Sequence, residues 1–152
     1  MTKQREIKFR AWDKKEEKMF EVWELKGIWS DPEPRDAMVV LWNDTGDEES
    51  NTKEIFLMDT ILMQYTGLKD EDDKEIYEGD IIWQEIWNGG DGRTEPNETD
   101  RFEGIVIYDV NGFGIQTKGC ENGETEVELV KNDEFNTSGV IGNIYENPEL
   151  LK

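Results

Sequence analysis

Hydrophobic and polar positions alternate in short runs along most of the chain. From 5 to 12, Ile7, Phe9 and Ala11 fall on one face and Lys8, Arg10 and Trp12 on the other, the period-two pattern of a half-buried strand. A polar turn, Asp13-Lys14-Lys15-Glu16-Glu17-Lys18, leads to a return strand over Met19 to Leu25, where Phe20, Val22 and Trp23 supply strand-favouring bulk. Gly27 to Asp36, with Pro32 and Pro34, predicts an extended loop. Ala37 to Trp42 predicts a third strand and Asn43 to Asn51 a mobile acidic loop. The apolar residues of Ile55 to Tyr65 partly suit a helical face as well as a strand. Asp59-Thr60 in the middle favours two short strands with a bend.

The second half continues in the same style. Leu68 to Ile76 is a charged turn region, and Ile81 to Trp87 a strand. Asn88 to Arg101 is glycine-rich and polar, which predicts a flexible insertion. Phe102 to Val110 and Phe113 to Thr117 predict a hairpin joined at Asn111-Gly112, since both residues tolerate positive φ. After an Asn122-Gly123 turn come strands over Val127 to Val130 and Gly139 to Tyr145, then a capped helical stub at Asn147-Pro148-Glu149-Leu150-Leu151. Short strands joined by Gly/Asn turns predict a mainly β fold, a small barrel or sandwich. The stretch Ile61 to Trp83 reads as the hinge, with turns at Tyr65-Thr66-Gly67 and Glu78-Gly79-Asp80. It separates an N-terminal β region, 1–66, from a second region, 67–152, that carries the insertion at about 88–101.

Composition alters this picture in two ways. Only 35% of the 152 residues are apolar, but 11% are aromatic and six are Trp, which marks a folded core beneath an acidic skin rather than a disordered acidic chain. The net charge is -20, unevenly placed: residues 1–20 carry seven Lys/Arg against four acids, a net of +3, leaving -23 on the remainder. Such a field repels nucleic-acid phosphates, attracts basic partners and keeps a small protein in solution. There is no histidine, so the commonest general acid–base residue and metal ligand is missing. The lone Cys120 cannot close an internal disulfide, which suits a reducing compartment. With no basic-then-apolar leader and no bilayer-length apolar run, the expected location is the cytoplasm, with no membrane partner.

No nucleophile–base pair, phosphate loop or metal-ligand spacing is present, so the expectation is a protein that is not an enzyme, with no catalytic, cofactor-binding or metal residue and no cofactor. Asp70-Glu71-Asp72-Asp73-Lys74-Glu75 invites a calcium-loop reading, but the fifth, sixth and twelfth positions counted from Asp70 are Lys74, Glu75 and Ile81, not an oxygen ligand, Gly and Glu. Glu78-Gly79-Asp80 reads as a strand-entry turn; Glu78 and Asp80 could hold a metal only if a third ligand converged. Trp12, Trp23, Trp29, Trp42, Trp83 and Trp87 could stack on bases or sugars. Stacking platforms for nucleic acid sit in positive grooves, however, and only the first 20 residues are basic, so core or protein-interface roles are expected for most of them. Cys120 has no nearby base, and its neighbour Glu121 raises rather than lowers a thiol pKa.

Three separated blocks, in order, resemble the YopX family of phage and prophage proteins. They are Ile7-Lys8-Phe9-Arg10-Ala11-Trp12-Asp13 with Met19-Phe20, then Met63-Gln64-Tyr65-Thr66-Gly67-Leu68-Lys69-Asp70 with Lys74-Glu75-Ile76-Tyr77-Glu78-Gly79-Asp80-Ile81, and finally Val140-Ile141-Gly142-Asn143-Ile144-Tyr145-Glu146-Asn147-Pro148-Glu149-Leu150-Leu151. One departure is Asp72-Asp73, where members commonly carry an Asn-Gly type turn. The resemblance implies N-terminal β-strands with a hairpin packed on a small five-stranded SH3-like β-barrel, closed by a short C-terminal helical turn. It implies a phage or prophage accessory protein in the bacterial host, and it supplies no active site. The expected role is a non-catalytic module that binds a host or phage protein. The alternative is a nucleic-acid-related protein, either through DNA or RNA contact by the basic N-terminal hairpin or as an acidic polyanion mimic that blocks a host DNA-binding enzyme. A metal-dependent enzyme built on clustered carboxylates is the weakest reading. An exposed strand edge or the N-terminal hairpin could pair with a second copy.

Overall fold

The first hairpin is fixed by its turn. β1 (Phe9–Asp13) and β2 (Lys18–Lys26) pair antiparallel from Arg10↔Glu21 to Asp13↔Lys18. Asp13 Oδ1 accepts the N–H groups of Lys15 and Glu16, and Glu17 takes the left-handed conformation at φ 51, a local carboxylate-capped turn. This computed structural model describes residues 6–27, 37–42, 51–87, 99–109, 112–117, 127–129, 131 and 136–151. The expected loops at 28–36 and 43–50, most of the insertion (88–98), the Asn122-Gly123 turn, Trp29 and Cys120 lie outside those residues.

The chain divides into two compact units, Glu6–Gln64 and a second that contains Tyr65–Lys152. In the N-terminal unit, β3 (Met38–Trp42) and β4 (Thr52–Phe56) extend the hairpin. A 3-10 turn over Leu57–Asp59 then leads into β5 (Thr60–Lys69), whose first half pairs with β1. The bend expected within 55–65 therefore exists, one residue earlier than Asp59-Thr60, and separates strands longer than expected. The strand order is β4-β3-β2-β1-β5. One face buries Ala11, Phe20, Val39 and Leu41, with Val22, Leu25, Ile55, Leu57 and Leu62 packed around them. Ile7, expected on this face, is 73% exposed and precedes β1. Instead the strand runs on to Asp13, whose carboxyl is buried because it is fully hydrogen-bonded.

In the C-terminal unit the latter half of β5 pairs with β6 (Glu75–Tyr77), with Tyr65 opposite Tyr77 and Lys69 opposite Glu75. β7 (Asp80–Trp87), β8 (Thr99–Asp109), β9 (Gly112–Thr117) and β10 (Val127–Glu128) form an antiparallel meander, and β11 (Thr137–Asn143) returns to pair with β7. Ile76, Ile82, Val106, Ile115 and Leu129 form its core. A Cβ on Gly104 would lie 2.2 Å from the Gln116 carbonyl oxygen, so this close approach of β8 and β9 needs glycine. Thr99 to Arg101, expected at the end of the insertion, belong to β8: Thr99 pairs with Trp87, and Arg101 stacks on Trp83, 4.6 Å from its ring. Asp109 pairs with Gly112, so β9 begins one residue before the expected strand; residues 110–111, with Asn111 of the expected turn, lie outside the described ones. Of the strand expected over Val127 to Val130, β10 takes Val127–Glu128 and stops before Leu129; Val130 lies outside the described residues. The last strand starts and ends two residues early, leaving Ile144 and Tyr145 in a turn before the 3-10 stub Pro148–Leu151.

Among the described residues the fold is thus mainly β, with two antiparallel sheets and almost no helix. No closed barrel forms among the described residues, because β10 and β11, at opposite edges of the C-terminal sheet, do not pair. No helix is long and apolar enough to cross a membrane among the described residues.

Candidate functional site

In the C-terminal unit the polar residues of two distant sequence blocks meet at one turn. Gly79, at φ 79, makes the bend before β7; its N–H donates to the Val106 carbonyl at 2.8 Å. Its own carbonyl accepts both Ile144 N–H at 3.0 Å and the Asn143 side-chain amide at 2.9 Å. Asp80, 1% exposed, accepts Tyr77 N–H at 2.8 Å on one oxygen and faces the Asn143 amide at 3.4 Å with the other. Asn143 Oδ1 accepts Tyr145 N–H, and Asn147 Oδ1 accepts Asn143 N–H. Burial, reinforced by the neighbouring charge of Glu78, pushes the Tyr145 phenol above its usual range.

Asp70 does comparable work ten residues upstream. Its Oδ1 accepts the N–H groups of Asp72 and Lys74, and Oδ2 accepts that of Val140 at 3.0 Å. Glu71 N–H donates to the Ser138 carbonyl at 2.9 Å. The 70–74 turn therefore lies along the outer edge of β11, with Asp73 at φ 63 in the position where the family commonly has Asn-Gly. The acidic run that invited a calcium reading turns its buried carboxylate onto main-chain donors. Asp80 likewise faces main chain and Asn143, in the turn role expected for it. Among the described residues no three His, Cys, Asp or Glu side chains converge on one point.

The N-terminal unit holds a different polar cluster. Lys53 on β4 reaches Asp13 Oδ2 at 2.7 Å and also pairs with Glu16, across three positions in strand order. Lys14 N–H donates to the Asp59 carbonyl and Lys14 Nζ to the Met58 carbonyl. A cleft of about 560 Å³ opens here, lined by Asp13 to Glu16, by Lys53 to Phe56 and by Asp59. Burial alone would raise the Asp13 pKa, but Lys53 and the Glu16 and Lys15 N–H groups outweigh it and hold the carboxyl below its ordinary range. Burial likewise opposes the charged form of Lys53, yet Asp13 and Glu16 hold its ammonium above the usual value. Two charges neutralised this way brace the curled sheet; neither is free to act as an acid or base near neutral pH.

Of the core and interface roles expected for the tryptophans, the core role is taken by none of the five described. Trp23 is 68% exposed and stacks on Trp42, ring centroids 5.4 Å apart, and Trp87 is 42% exposed. Alternation with the inward Phe20 and Val22 already places Trp23 outward; it sits where the β2–β3 register shifts, and this bulge returns Leu25 to the core face.

These features define an all-β protein of two small units whose buried polar side chains are turned on its own backbone, with aromatic surface left outside. The chain belongs to the YopX family: the family model described as YopX protein matches residues 8–152. It is also similar to protein EF1440 from Enterococcus faecalis, known from a crystal structure, at 25% identity and a TM-score of 0.50, covering 98% of this chain and 100% of that one. No curated protein matches.

Proposed function

We propose that this protein is a phage or prophage accessory factor, a non-catalytic module that binds a host or phage protein in the bacterial cytoplasm. The observation that carries the reading is the contrast between its polar and aromatic residues. Buried polar residues of the family blocks, Asp70, Asp80 and Asn143, are turned on main-chain groups, with Asn147 beside them, whereas Trp23 and Trp42 stack in solvent. Exposed stacked indoles are common anchors of protein interfaces. The order β10-β9-β8-β7-β11, four meandering strands with the fifth returning beside the first, is read as that of an SH3-like barrel, a frequent scaffold for binding. The N-terminal unit repeats that order as β4-β3-β2-β1-β5.

The test is capture from lysogenic cells on tagged wild-type protein and on Trp23→Ala, followed by mass spectrometry. The expected result is a defined host or phage protein, retained after nuclease treatment and depleted at least fivefold by the substitution. Recovery of nucleic acid, with proteins lost on nuclease treatment, contradicts the proposal and favours the nucleic-acid alternative.

A further inference from the structure

The two units treat their outer strands differently. The free edge of β11 is occupied by its own chain, through Glu71 N–H to Ser138 and Val140 N–H to Asp70. Nothing among the described residues does this for β4. Leu57 N–H donates to the Ala37 carbonyl at 2.8 Å, in register with Met38↔Phe56 and Val39↔Ile55. In an antiparallel ladder the bonded pairs alternate, so Leu57, Ile55 and Lys53 bond to β3 while the N–H and C=O groups of Glu54 and Phe56 point outward. Along these residues runs the 560 Å³ cleft, with the hairpin residues Asp13 to Glu16 and Asp59 also lining it. An unpaired edge beside a groove is a template for strand addition.

We propose that the β4 edge takes an extended basic segment of a partner protein as an added antiparallel strand, which rests on the protein-interaction reading above. Charge selects this occupant. The chain carries -20, so a second copy edge to edge is repelled while a basic segment is drawn in. Locally the cleft is lined by the acids Asp13, Glu16, Glu54 and Asp59 and by Lys14, Lys15 and Lys53. Lys53 is occupied by Asp13 and Glu16 and Lys14 by the Met58 carbonyl, while the Glu54 side chain, shared with Lys26 at 2.5 Å, keeps 48% of its surface exposed. An added strand with a Lys or Arg opposite Glu54 and apolar residues opposite Ile55 and the 46%-exposed Phe56 matches the edge.

The full chain is titrated with a capped nine-residue peptide of alternating Val and Lys, and amide shifts and affinity are read by NMR. Binding is expected to shift Glu54 and Phe56, and to weaken at least tenfold in Phe56→Pro. Phe56 has φ -67, a proline value, and its N–H is not in the ladder, so this change removes an edge donor without opposing the fold. Glu54→Lys keeps the donor, reverses the charge and is expected to weaken binding similarly. Unchanged affinity in both variants, or equal affinity for an alternating Val and Glu peptide, overturns the proposal. So does a wild-type dimer in sedimentation that Phe56→Pro dissolves, because the occupant is then a second copy. If the peptide fails in these ways while cells still yield a partner, the interaction reading survives on another surface; if no protein is captured, that reading falls whatever the peptide does.

Discussion

Asp13 and Lys53 illustrate how one ion pair can carry a curled sheet. The Asp13 side chain keeps 3% of its surface exposed and Lys53 27%, so the pair is shielded far better than a surface bridge, and removing one partner strands a buried charge. Asp13→Asn is expected to destabilise the N-terminal unit by about 2 kcal/mol, read as a fall in the urea midpoint. The pH dependence follows from the two shifts. Asp13 lies below its ordinary 3.8 when folded, so its contribution is full above about pH 4–5 and is lost as pH falls through the lower folded value. Lys53 lies above its ordinary 10.5, so its contribution holds below about pH 10 and is lost as pH rises through the raised value. Stability of the unit should be flat between these limits, and Asp13→Asn should remove the acid limb attributable to this pair.

At the scale of elements, the 70–74 turn covers the outer edge of β11. Asp70 accepts three main-chain N–H groups, two within the turn and one on β11. Charge-assisted bonds to buried donors are worth about 1.5–3 kcal/mol each, with losses that do not simply add. Asp70→Ala is therefore expected to cost roughly 2–4 kcal/mol and to unprotect the β11 edge, seen as faster hydrogen exchange of the Val140 amide. Asp70→Asn, which keeps one acceptor oxygen, should fall between. Much of the element pattern was legible: alternation located the first hairpin, and Asp-Thr marked the break before β5. What escaped were features set by partners far away in sequence. Thr99 to Arg101 look like loop but extend β8, because Trp87, Ile86 and Glu85 offer a ladder and Trp83 a ring for Arg101. The Trp23–Trp42 stack joins residues of two strands, and no local signal announces it. The Asp13–Lys53 bridge spans 40 residues and has no sequence signature at all.

At the scale of the molecule, the family blocks and the outward surface have separate duties. The blocks that carried the resemblance supply Asp70, Gly79, Asp80, Asn143 and Asn147, which tie turns to strands within the C-terminal unit. Their spacing in sequence identified the family; their convergence became visible only when β11 was laid beside β7. On the proposed reading, binding falls to aromatic residues and to the β4 edge, where the acidic charge of the whole chain would set the kind of partner. The most direct measurement is native-state hydrogen exchange of the core amides of Ile82, Val106 and Ile115 in Asn143→Ala. That change removes the Asn143 acceptor from Tyr145 N–H and a donor from Gly79 and Asp80. If these residues hold the scaffold, the core amides exchange roughly 30- to 1,000-fold faster, a loss of about 2–4 kcal/mol. Unchanged exchange in a variant that no longer captures its partner would contradict the account, placing Asn143 at a binding or reacting site.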